Sequence, residues 1–371
     1  MAKKILRIVL IVIGAILLIV IGYVAYVFLS FSRIEDNLEL QVQNAAAGMP
    51  YGAEIAGELE PEFKKGQELT MVSYNIGFGA YSDDYTFFMD GGKESWAFSK
   101  EAVYENINGA MNAVNAYDPD IALIQEVDID GTRSYHIDER SIVVPGIAKS
   151  RSYAYDFAQN YDSPFLMYPL TQPHGANKAG IMTFSASQIT SAIRISLPIE
   201  TGISKVLDLD RCYSKSRVPV EDGKELVVYN LHLSAYTADV STAETQLAMV
   251  VSDMQEEYDA GNYCIAGGDF NRDLLGNSPE IFHTAVLEDN WAAPVNMSLF
   301  TDDITLVAPF NEADPVASCR NPDKSYEEGD FVVTVDGFIR SPNISVVESD
   351  VIDTGFAWSD HNPVYVKFVL E

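Results

Sequence analysis

Residues 355–370 read GFAWSDHNPVYVKFVL. From Val364 onward the run is rich in β-branched and aromatic residues, which is the composition of a strand. Directly before it stand Asp360 and His361, two groups that water solvates well. A strand at this place serves packing, so an ionisable pair at its mouth implies that the strand also delivers something. The rest of the chain should then hold the groups that the pair works with.

Several other strand-like runs end in the same way. They deliver Asn75 in SYNIGFG, Glu126 in LIQEVD, His232 in NLHLSAY, Asp269 and Asn271 in GGDFNRD, and Asp336 in TVDGFIRS. Between some of the strands lie helical patterns. Val103, Ile107, Ala110, Met111 and Val114 share one face, and Leu247, Val250, Val251, Met254 and Tyr258 another. EDGK, at 221–224, joins two strands as a hairpin. Helical crossovers mixed with hairpins predict an α/β domain with mixed sheets, not a purely parallel one. Each polar residue alone fits a turn or a satisfied hydrogen-bond partner. Together, three Asp, one Glu, two Asn and two His at strand ends suit a hard-cation site with acid–base groups beside it.

The order of these motifs resembles the endonuclease/exonuclease/phosphatase superfamily, which includes DNase I-like nucleases, sphingomyelinases and inositol polyphosphate phosphatases. The matching stretches are SYNIG, QEVD, AGIMTFSAS, NLHLS, GGDFN, VDGFIRS and SDHNPV, spanning residues 70–365. The resemblance implies a four-layer sandwich: two mixed β-sheets face to face, helices outside, and the site at one edge. It implies Mg²⁺ or Mn²⁺ held mainly by Glu126, with Asn75 and Asp360 completing the surroundings directly or through water. His361 would be the base for an attacking water, oriented by Asp336. Asp269 and Asn271 would hold that water and a phosphate oxygen, although in some family mechanisms the Asp of GDFN is itself the base. His232 would donate to a phosphate oxygen, and Arg211 stands where some members place a phosphate-contacting Arg. YAYDFAQNYDSPF lies where nucleases of this group carry substrate-contacting Tyr and Arg, and it fits core packing at least as well. Arg133 and His136 fit either a rim or a solvated loop, and His136, His174 and His283 have no motif behind them.

The N-terminus carries a separate signal. Ile8–Phe28 has no charge over roughly the 20 residues that a bilayer requires. Lys3, Lys4 and Arg7 precede it, while Glu35, Asp36 and Glu39 follow with only Arg33 between. A single-pass signal anchor is predicted, with its N-terminus cytoplasmic and the catalytic domain extracellular. The chain thus divides into a tip and transmembrane helix at 1–33, a stalk at 34–68, and the catalytic domain at 69–371. The net charge is −30; beyond Arg33 there are 20 basic against 54 acidic residues, a net −34. Such a surface carries no basic stripe for a polynucleotide. The expected substrate is therefore a lipid head group or small phosphoester, with a surface nuclease as the alternative. A catalytically inactive binding domain on the same fold is the reading from another class, and the full motif set argues against it. Cys212, Cys264 and Cys319 fit neither a disulfide framework nor a zinc site. A monomer is expected.

Overall fold

In the Glu68–Asn75 strand, Leu69 and Met71 face one way and Val72 and Tyr74 the other, and all four are fully buried. A strand buried on both faces lies between two layers. The computed structural model, which describes residues 2–53, 59–199, 209–235, 240–288 and 290–371, shows what those layers are. One seven-stranded sheet runs, in spatial order, Ile344–Val351, Val364–Leu370, Glu68–Asn75, Ile121–Gly131, Asn177–Ser185, Tyr153–Asp162 and Gln43–Ala45. The other runs Leu38–Glu39, Ser191–Ser196, Cys212–Pro219, Glu225–His232, Tyr263–Asp269, Asp336–Arg340 and Thr305–Val307. Leu69, Met71, Ile121, Leu123 and Val366 from the first interleave with Leu226, Val228, Ile265 and Phe338 from the second. Each such side chain contributes about 1.5–3 kcal/mol by leaving water.

The outer faces are covered by helices. Lys100–Asn115 lays Val103, Ile107, Ala110, Met111 and Val114 over Tyr74, Ile124 and Phe184. Ser99 starts it by accepting a hydrogen bond from the Ala102 N–H at 3.1 Å. Val240–Asp259 lays Leu247, Val250, Val251 and Met254 on the other sheet, against Tyr229, Cys264 and Ala266. The expected four-layer sandwich of two mixed sheets is therefore the architecture observed.

Among the described residues two strand pairs are parallel, Glu68–Asn75 with Ile121–Gly131 and Glu225–His232 with Tyr263–Asp269. Their registers bring Asn75 opposite Gln125 and Asp269 opposite His232. The antiparallel neighbours then enter from the same end, with Asp336 opposite Asp269 and Val364 opposite Ser73. This is how residues nearly 290 positions apart in sequence reach one edge of the sandwich.

The segment expected as a stalk differs from a free tether. Leu38–Glu39 pairs with Ile193 and Arg194, Gln43–Ala45 pairs with Tyr153–Tyr155, and Phe63 is buried beside Val220. Arg33 and the Ile34 N–H are tied to the Asp210 carboxylate. The physical reason is that both sheets would otherwise end in unpaired edges. Residues 54–58 of that segment lie outside the described residues. Before it, Ala2–Ser30 forms one helix, long and apolar enough to cross a membrane, with its large side chains exposed from Ile5 to Val20.

Candidate active site

Local backbone devices aim the polar residues at the edge. Opposite the Asn177–Ser185 strand, the Ile121–Gly131 strand slips register between Ile124 and Val127, and Glu126 sits there at φ 57°. A bulge of this kind turns a side chain out of the ladder's alternation. Asn271 is the other site residue with positive φ, at 50°. Such conformations cost free energy and persist where surrounding structure enforces them. Gly268, at φ +143°, lies so close to its parallel neighbour that a Cβ would stand 2.0 Å from the Leu231 carbonyl oxygen. That closeness requires glycine before Asp269 in GGDFN.

The side chains converge into one network. Asn75 Nδ2 donates to Glu126 Oε1 at 3.2 Å and to Asp269 Oδ2 at 3.1 Å, and lies 3.5 Å from His361 Nε2. His361 Nδ1 meets Asp336 Oδ2 at 2.8 Å, leaving Nε2 turned towards Asp269 Oδ2 at 3.8 Å. His232 Nε2 lies 3.6 Å from Asp269 Oδ2 and 3.8 Å from Glu126 Oε1. Asn271 donates its backbone N–H to Asp269 Oδ1 at 2.8 Å, while its Nδ2 is spent on the Leu233 carbonyl. Arg211, buried nearby, donates to the His232 carbonyl at 3.3 Å. All nine residues predicted from the sequence are therefore gathered at one place.

Burial shapes the electrostatics. Desolvation pushes the Asp269 carboxyl up to about 7, opposed by His361 and reinforced by Asp336. Desolvation likewise pushes Asp360 up to about 6; His361 and Arg320 oppose this, and the neighbouring Glu126 adds to it. For His361, burial alone would lower proton affinity, but Asp336 outweighs it and holds the group well above the usual imidazole range. His232 is driven well below that range by burial and by Arg211. Asp336 thus favours the protonated form of His361, while burial favours the neutral form of His232.

Several further residues orient the site. The Ser318 hydroxyl donates to Asp336 Oδ2 at 2.7 Å and accepts from the Val335 and Asp336 N–H groups. The Ser359 hydroxyl ties the Asn75 carbonyl at 2.7 Å, and Cys319 Sγ lies 3.6 Å from His361 Nε2. Ser359 is part of the SDHNPV stretch, whereas Ser318 gives no signal in sequence. The site opens into a cavity of about 370 Å³ whose wall includes Arg133, Arg211, Arg320, Trp291, Phe87 and Met89. Arg133 is held by Asp128 and stacked on Phe78, so it belongs to the wall. His174 lines the wall as well, while His136 is exposed beside Asp130. In YAYDFAQNYDSPF, Tyr153 and Tyr155 pack in the core as expected, but Asn160 and Tyr161 reach the cavity.

The donor set suits a hard divalent cation. Asp269, Asp336 and His361 offer ligand atoms all within 4.8 Å of one another and could hold a metal ion. His361 and Asp336 are already bonded to each other, however, and Glu126, Asp269 and Asp360 are site carboxylates that line the cavity without that tie. Asn75 does not offer its oxygen here: Oδ1 accepts the Gly77 N–H at 3.1 Å, and the amide nitrogen faces the carboxylates. It is a donor bridging Glu126 and Asp269.

A sequence profile of the Endonuclease/Exonuclease/phosphatase family matches residues 72–361, from the central strand to His361. The chain belongs to this family. Members of the endonuclease/exonuclease/phosphatase family are hydrolases acting on phosphoester bonds. No curated protein matches the chain. Among solved structures, a family member from Beutenbergia cavernae is similar at TM-score 0.54 and 16% identity, covering 82% of this chain and 72% of that one. ANGEL2, a 2′,3′-cyclic phosphatase, in complex with adenosine-2′,3′-vanadate, is similar at TM-score 0.52 and 15% identity, covering 85% and 98%. The human Nocturnin catalytic domain with bound sulfate is similar at TM-score 0.50 and 15% identity, covering 83% and 95%. At such identities the likeness is one of fold.

Proposed function

We propose that the protein is a membrane-anchored phosphoesterase that uses Mg²⁺ or Mn²⁺ to hydrolyse a lipid head group or small phosphoester on the extracellular side. The observation that supports it most is the pair His361–Asp336, joined at 2.8 Å and aimed at Asp269 beside Glu126. The net −34 beyond Arg33 and the lack of a basic stripe favour a small or lipid-linked substrate over a polynucleotide.

Glu126 and Asp360 would hold the cation, which when bound supplies Lewis acidity at phosphoryl and leaving oxygens. The remaining steps belong to the chain. Asp269, fixed by the Asn271 N–H, positions the attacking water. The proton from that water passes to the Asp269 carboxylate, beside which Asp336 holds His361 protonated and oriented. His232 and Arg211 would donate to a phosphate oxygen as its charge grows.

The test is a substrate panel on the full-length chain in detergent: an aryl phosphodiester, sphingomyelin, phosphoinositides, RNA and plasmid DNA, each with Mg²⁺. Hydrolysis of at least one small or lipid ester is expected, lost with EDTA and reduced roughly 10²-fold or more by His361→Ala. Activity that survives EDTA overturns the metal role. Plasmid nicking at enzyme levels that leave every small and lipid ester intact overturns the substrate class.

A further inference from the structure

Between Asp162 and Lys178 the chain runs SPFLMYPLTQPHGAN, fifteen residues without one charged side chain in a strongly acidic protein. This loop joins the Tyr153–Asp162 and Asn177–Ser185 strands. It exposes large apolar groups at its tip: Phe165, Met167, Tyr168 and Leu170, the last 80% exposed. Exposed apolar side chains clustered like this mark a contact with another apolar phase.

The same loop is joined to the apolar N-terminal helix. The Tyr23 hydroxyl donates to the Phe165 carbonyl at 3.2 Å and accepts the Met167 N–H at 3.0 Å. The Tyr26 hydroxyl accepts the Phe165 N–H at 3.1 Å. Counting back from Tyr23 to Ile5 gives about 27 Å of helix at 1.5 Å per residue, close to the thickness of a hydrocarbon core. With Ile5 at one boundary, Tyr23 and Tyr26 lie at the other, where tyrosines collect. The loop tip is therefore fixed at bilayer depth.

Its backbone is prepared for that depth. Besides the groups satisfied by the two tyrosines, Leu166 and Gly175 exchange both backbone hydrogen bonds, and the His174 N–H is bonded to the Tyr168 carbonyl. A loop whose polar backbone is paired in this way can leave water at low cost. An aromatic row then connects the tip to the cavity. Tyr168 packs on Phe88 with centroids 5.7 Å apart, Phe88 on His174 at 5.7 Å, and His174 on Phe87 at 6.0 Å. Phe87 and His174 are cavity wall, and Met89, 58% exposed, continues the apolar surface to the rim.

We infer that the Phe165–Leu170 tip inserts into the bilayer that the N-terminal helix spans, and that this sets the mouth of the site against the lipid surface. The occupant of the patch is that bilayer: its chemistry matches an uncharged, apolar tip held beside the span, and the acidic remainder of the domain faces water. The catalytic half of the inference rests on the phosphoesterase reading; the insertion does not.

The experiment keeps the two apart. The three native cysteines are buried, so a single environment-sensitive fluorophore can be placed at Leu170→Cys in the full chain, reconstituted in phosphatidylcholine vesicles with brominated acyl chains. Lys224→Cys, in the hairpin at the end of the sandwich opposite His232, is the control. Quenching at position 170 and none at 224 is expected; a label at 170 as unquenched as that at 224 overturns insertion. The variant Met167→Glu/Leu170→Glu is then compared with the parent on a bilayer-embedded phosphodiester and on a soluble aryl phosphodiester. The expected result is a loss of about tenfold or more on the embedded ester alone. Equal rates on the embedded ester overturn the orienting role. A parent inactive on both esters counts against the phosphoesterase reading, and the quenching result still judges insertion.

Discussion

At the scale of single residues, the behaviour of His361 depends on Asp336. Replacing Asp336 with Asn removes the charge that outweighs burial, so the imidazole's proton affinity should fall. We expect Asp336→Asn to lower kcat by about 10²-fold with KM little changed, and the His361 ring signals in NMR to titrate at lower pH than in the parent. An unchanged titration would remove Asp336 from its orienting role. Asp156 makes a separate case. Burial raises its carboxyl to about 7, with only the Ser216 hydroxyl opposing. The native chain then keeps a proton that the unfolded chain gives up near pH 4, so stability falls as pH rises between about 4 and 7. Asp156→Asn should remove this loss, gaining up to about 4 kcal/mol at pH 8 and little at pH 4. Denaturant unfolding at the two pH values measures it, and a difference independent of pH would refute it. Most of the nine site residues were legible in sequence because they are polar residues at or next to the ends of apolar strands, whereas Glu126 lies inside its strand and Arg211 was reached only through the resemblance. Ser318 and Cys319 were not, since neither residue type is unusual inside a sheet and their roles arise only through the fold.

Single elements set how firmly these residues are held. The Lys100–Asn115 helix meets the loop that carries Asp360 and His361 at Gly109, where an added Cβ would stand 2.3 Å from the Trp358 ring. Alanine would favour the isolated helix by about 1 kcal/mol, but here it pushes a rigid indole two residues before Asp360. Overpacking of this kind costs roughly 1–3 kcal/mol, so Gly109→Ala should lower the unfolding temperature and also reduce kcat. A rise in unfolding temperature would show that Trp358 moves aside freely. The helices and long strands were readable from their periods of 3.6 and 2. The bulge at Glu126 was not, because an extra residue in a ladder leaves no mark in a hydrophobic pattern. Nor were Leu38–Glu39 and Gln43–Ala45 readable, for two or three residues carry no period and their pairing is decided by the edges they meet.

For the whole molecule, those short strands decide where the catalytic unit begins. A fragment starting at Leu69 loses both edge strands and the buried Phe63, and exposes the Ser191–Ser196 and Tyr153–Asp162 edges for pairing with other chains. We expect it to unfold at lower temperature and to aggregate, as light scattering would record, whereas a fragment starting at Ser32 stays dispersed. Equal behaviour would return residues 34–68 to the role of a tether. The same run, from Arg33 to Ala45, has a mechanical meaning. It is fastened at Asp210, then to the edge of one sheet, then to the edge of the other. Drag on the anchoring helix therefore loads these outer fastenings in turn before it reaches the central strands, so that tension would peel the sandwich from its margins while the strands bearing Asn75, Glu126, His232 and Asp269 still keep their register.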